Sequence, residues 1–211
     1  MDKSRLDKAY IWIVLRKHFI IYGFQIFQAA VVLSIFTAFY LAFSGNAVYQ
    51  VLAKQSVLFG KTALTLYILT LVPGITGRLG IRHKLLSLLM IFRRHIGILM
   101  YLFALLHFSF LFLIPQLIIG NKLFDSLLLF EFMGLSAIML LLFLFLTSND
   151  FSQFRLKDWW YLLHKLTYIA MFFIFLHVAL QRISIWTILM GVIIFLQISS
   201  FLYSFLKRRE Q

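Results

Sequence analysis

The sequence predicts an all-α integral membrane protein, a six-helix bundle with both termini in the cytoplasm. Three observations predict it. First, 63% of the 211 residues are hydrophobic and 13% are charged, against about half and a quarter in a soluble domain. Mean hydropathy is +0.95, so the chain has too little polar surface to cover a core in water. Second, the apolar residues fall into six stretches, each near the roughly 20 residues that a helix needs to cross the hydrocarbon. Third, the basic residues segregate between alternate ends of those stretches.

The chain reads as one domain over 1–211 with no internal repeat. Residues 1–18 form an N-terminal arm on the cytoplasmic side. It is no cleavable signal, because Arg16 and Lys17 lead into a full-length span with no small-residue cleavage site after it. The spans are expected at 19–43, 57–75, 95–115, 127–147, 161–180 and 184–206. Ser44-Gly45-Asn46, Pro73-Gly74, Pro115 and Gly120-Asn121 mark joints. The longest connection is expected at 76–94, and no soluble domain fits anywhere.

Sixteen of the 20 basic residues collect on one side: in the arm, in 76–94 with Arg78, Arg93 and Arg94, around 155–165, and in the tail. Lys54, Lys61, Lys122 and Arg182 take the other side. Positive charge marks the cytoplasmic face. The net charge of +13 therefore reads as topology plus attraction to anionic lipid, with no need for a nucleic-acid partner. Cysteine is absent, which excludes disulfides and thiolate-bound clusters.

Ionisable side chains inside such helices are costly and point to function. His18 and His83 lie among basic residues at the cytoplasmic interface. The other four histidines share two spans, the third and the fifth. His95 and His164 lie near the cytoplasmic ends of those spans. His107 and His177 lie 12 and 13 residues further on, rises of about 18 and 20 Å. Matched depths permit two stacked interhelical pairs, His95 with His164 and His107 with His177. Two imidazoles facing each other between helices suit the axial positions of a haem iron. At 100° per residue, however, those spacings turn the side chains by about 120° and 140°. Neither pair shares a face of an ideal helix, so tilt or local distortion has to absorb the difference.

Gly97 and Gly134 are candidates to leave a porphyrin room near the backbone, with ordinary close helix packing as the alternative. Arg78, Arg93 and Arg94 are candidates to bind its propionates. Glu131 is a candidate for proton transfer or partner contact. Trp159, Trp160 and Tyr161 form an interfacial aromatic belt.

The segments FGKTALTLYILTLVPGITGRLGI, RRHIGILMYLFALLHF and LLLFLFLTSNDFSQFRLKDWWYLLHKLTYIAMFFIFLHVAL resemble the ferric reductase-like transmembrane domain. The resemblance covers about residues 56–182. Its specific parts are Arg93, Arg94, Gly97 and His107 in the third span and His164 and His177 in the fifth. Within the family the chain is most similar to the haem-binding membrane subunits of bacterial periplasmic methionine-sulfoxide reductase systems. The resemblance implies haem b at His107 and His177 and an inner-haem role for His164. His95 departs from the sulfoxide-reductase pattern and fits the two-haem, four-ligand members. The resemblance also implies a bacterial inner-membrane location and an association with FMN, for which no residue stands out.

The chain carries no GxGxxG after a strand and no strand-rich nucleotide domain. It is therefore expected to receive electrons, from a cytoplasmic flavin reductase or membrane quinol, and to pass them to a periplasmic reductase. Direct reduction of ferric iron or oxygen at the outer haem is a second reading. A four-His metal transporter, without redox chemistry, is a third.

Overall fold

The computed structural model describes residues 3–46, 48–119 and 127–209. Among these the chain is helical, with no strand. The helices are α1 (Lys3–Leu15), α2 (Lys17–Phe43), α3 (Val48–Lys54), α4 (Ser56–Arg78), α5 (Lys84–Phe108), α6 (Ile114–Ile119), α7 (Leu129–Leu146), α8 (Asp150–Leu156), α9 (Asp158–His164), α10 (Leu166–Gln181) and α11 (Ile185–Arg209).

Six stretches are long and apolar enough to cross a membrane: 17–43, 56–78, 84–118, 129–146, 158–181 and 185–209. The six expected spans are all present, but several ends move. The N-terminal arm is itself mostly helix, tied to the start of α5 by a Lys84–Asp7 ion pair. The connection expected at 76–94 shrinks to the five residues between Arg78 and Lys84. Its arginines lie on helices: Arg78 ends α4, and Arg93 and Arg94 sit inside α5. Basic residues lower the hydropathy there without ending the helices.

The joints divide in the same way. Gly45 turns the chain after α2 with a φ of +66°, which glycine adopts without a Cβ penalty. Pro73-Gly74 lies within α4, with Pro73 buried. Pro115 also lies within a span. Its ring crowds the carbonyl four residues back, and the helix widens just before it into a π turn, Ser109–Leu113. The Ile114 amide there donates to the Ser109 carbonyl five residues back. Gly120-Asn121 and Lys122 lie outside the described residues.

The apolar side chains sort by contact. Leu64, Tyr67, Leu71, Met100, Tyr101, Leu141, Ala170 and Met190 belong to one core joining α4, α5, α7, α10 and α11. A second core packs Val31, Ile35, Ala38 and Ala42 of α2 against Leu102, Leu106, Phe110 and Ile114. The Tyr67 hydroxyl donates to the Thr167 carbonyl at 2.5 Å, tying α4 to α10. Exposed apolar residues such as Phe19, Ile26, Phe36, Ile188 and Phe195 face outward, as the bilayer demands. α4 packs chiefly on α5, and α7 chiefly on α10. These two antiparallel hairpins face each other and leave a space between them.

Candidate functional site: a paired-imidazole cavity

That space is a cavity of about 730 Å³ lined by residues of both hairpins, including Gly60, Tyr67, His107, Gly134 and His177. His107 on α5 and His177 on α10 enter it from opposite sides, their ring centres 6.3 Å apart and their planes at 77°.

Each ring is held in the same way. The Nδ1 atom of His107 lies 2.8 Å from the Ser56 carbonyl oxygen. The Nδ1 atom of His177 lies 2.7 Å from the Phe130 carbonyl oxygen. A carbonyl only accepts, so Nδ1 carries the proton in both rings. The free lone pair is then on Nε2. This backbone contact is the usual way a protein fixes the tautomer of a metal-binding imidazole.

A glycine makes each contact possible. Gly60 lies one helical turn after Ser56, and Gly134 one turn after Phe130. A Cβ on Gly60 would sit 2.8 Å from Nδ1 of His107, and one on Gly134 would sit 2.7 Å from Nδ1 of His177. Real Cβ atoms do not approach so closely. The hairpins α4–α5 and α7–α10 thus repeat one device: a carbonyl and a glycine on the first helix, an imidazole on the second. Of the two glycines singled out in the sequence, Gly134 belongs to this device. Gly97 does not, and a Cβ there would meet nothing within 4 Å. Gly60 went unnoticed; its signal was a glycine in the span beside α5, at the depth of His107.

The second expected pair is not brought together. The His95 ring stacks on Phe24 of α2, centres 5.8 Å apart, and its Nδ1 is buried without a partner. The His164 ring stacks on Trp160 at 3.9 Å and reaches Thr147 Oγ1 at 3.4 Å. Trp160 in turn donates to the Thr147 carbonyl at 2.9 Å. The reason is rotation. α5 runs unbroken from His95 to His107, so the turn of about 120° between them stands, and His95 looks toward another helix.

None of the three arginines reaches the cavity. Arg78 donates through Nε to Ser200 Oγ at 3.0 Å and lies over the Phe201 ring. Arg94 pairs with Asp150 at 2.6 Å. Arg93 sits inside α5 and does not line the cavity. The polar side chains that do line the cavity include Lys61, Glu131, Gln181, Arg182 and Ser184, toward the end of the bundle away from the termini. Glu131 also caps α7, accepting from the Leu128 amide at 2.9 Å. Among the described residues no three or more His, Cys or acidic side chains gather to hold a metal.

Fold and cavity together define a multi-pass membrane helical bundle with two opposed imidazoles in its core. Residues 59–176 match the ferric reductase like transmembrane component, and the chain belongs to that family. Membership points to transmembrane electron transfer. No match was found among curated proteins or solved structures.

Proposed function

We propose that the protein is a haem b electron carrier of the bacterial inner membrane. It takes electrons on the side of its termini, from a cytoplasmic flavin reductase or membrane quinol. It delivers them to a periplasmic acceptor, a reductase such as one acting on methionine sulfoxide. The observation that supports this is the His107–His177 pair. Two imidazoles sharing one metal through bonds of about 2 Å, each with a ring radius of about 1 Å, would have their ring centres up to about 6 Å apart; the observed separation is 6.3 Å.

His107 and His177 would hold the iron through Nε2, with Ser56 and Phe130 orienting the rings. The haem supplies a one-electron couple that no side chain here can. The apolar walls, among them Leu64, Met100, Ile138 and Ile174, keep water from the ring. The potential is tuned by these surroundings. A second haem on His95 and His164 would require both rings to turn from their present partners.

The test is a spectrum with a pyridine haemochrome assay. Dithionite-reduced protein should show sharp low-spin b-type bands. His107→Ala or His177→Ala should abolish them, since no other imidazole lines the cavity. His95→Ala should leave the bands and the haem count unchanged. A colourless protein expressed with ample haem would end the proposal.

A further inference from the structure

Haem carries two carboxylates on one edge, and a cavity that takes it must decide which way that edge points. We propose that Lys61 and Arg182 hold the two propionates, so that the carboxylate edge faces the end of the bundle away from the termini. This rests on the haem reading above.

Three observations carry it. Both cations line the cavity, Lys61 directly after Gly60 on α4 and Arg182 at the end of α10, five residues past His177. Five residues are a rise of about 7.5 Å, the reach from a ring centre toward its edge. Next, neither cation has an acidic partner among the described residues. The ion pairs there are Lys84–Asp7 and Arg94–Asp150, and Glu131 is engaged with the Leu128 amide. Last, the opposite end of the cavity offers no such charge, because Arg78, Arg93 and Arg94 do not line it. Two cations on one rim, from opposite hairpins and without an ion-pair partner among the described residues, match a ligand with two carboxylates on one edge.

Both side chains are exposed, so each pair adds little affinity. An exposed ion pair of up to about 1 kcal/mol is about fivefold in binding. Orientation and potential are the larger effects. A cation at the propionate edge offsets negative charge near the iron and favours the reduced form.

The experiment loads haem-free full-length protein in lipid nanodiscs with protohaem or its dimethyl ester, which lacks both carboxylates. Affinity is read by titrating the Soret band, and the midpoint potential by spectroelectrochemistry. Wild type should bind the ester more weakly than protohaem, by up to about 25-fold for two lost pairs. K61Q/R182Q should bind both alike, with low-spin bands kept and the protohaem potential more negative than in wild type. Lys61→Arg should retain the wild-type discrimination. Equal affinity of wild type for both haems, or full discrimination by K61Q/R182Q, would overturn the assignment. If wild type takes up neither haem, the haem reading falls and this proposal with it.

Discussion

Gly60 shows how a missing side chain decides chemistry at the scale of one residue. Alanine is the better helix former by about 1 kcal/mol, and nothing in α4 demands glycine for its φ. What forbids alanine is the His107 ring, 2.8 Å from where its Cβ would stand. In Gly60→Ala and Gly134→Ala the helix-propensity gain of about 1 kcal/mol is offset by the lost imidazole–carbonyl hydrogen bond, also about 1 kcal/mol, so the haem-free protein should melt close to wild type. The same variants should lose haem or show a high-spin spectrum, as one imidazole is pushed off its carbonyl. Unaltered spectra in both would show that the rings have room to spare. The histidines were legible in the sequence because an imidazole in an apolar helix is conspicuous. The glycines and carbonyls that hold them were not, because a glycine's meaning depends on what faces it.

Between elements, continuity and interruption of helix decide which histidines meet. α5 is unbroken across His95 and His107, so it keeps their rotation. In the fifth span the helix is interrupted at Lys165, between α9 and α10, and His164 belongs to the short α9 packed on the end of α7. Matched depth was readable from spacing alone; azimuth needed the breaks. The same region is pinned by Arg94 of α5 to Asp150 at the start of α8. The hydrogen bond and charge of Arg94 hold the Asp150 carboxyl below its ordinary value of 3.8. A carboxylate with a depressed folded value stabilises above its unfolded value, and that contribution is lost as pH falls through the folded one. Infrared difference spectra against Asp150→Asn should place its titration below 3.8. Arg94→Ala should return it to the ordinary range; an unchanged titration would mean the pair does not form.

The six spans of the whole molecule were legible because length and hydropathy report the bilayer directly. Their ends were not, since helices continue through basic interfacial residues that a hydropathy window counts as loop. The distribution of sixteen basic residues against four predicts both termini in the cytoplasm. A reporter active only in the periplasm should be silent when fused after Gln211 and active when fused near Asn121. The reverse result would invert the direction of electron flow proposed above. The propionate partners expected from sequence, Arg78, Arg93 and Arg94, lie where basic residues are plentiful. The structure turns attention to the sparse side, where Lys61 and Arg182 stand, because positive charge is abundant at the cytoplasmic face for reasons of topology alone.

The two hairpins that share the cavity have a bearing on ancestry. α4–α5 and α7–α10 each bring one carbonyl, one glycine and one imidazole, in the same order along the chain, though their sequences show no repeat. Each hairpin is therefore a complete half-site. Two copies of one hairpin, associated about a twofold axis, would assemble the same grip on a ligand between them. A fused descendant of such a dimer would be free to diverge everywhere except at the glycine and the histidine of each half, since any residue supplies the carbonyl.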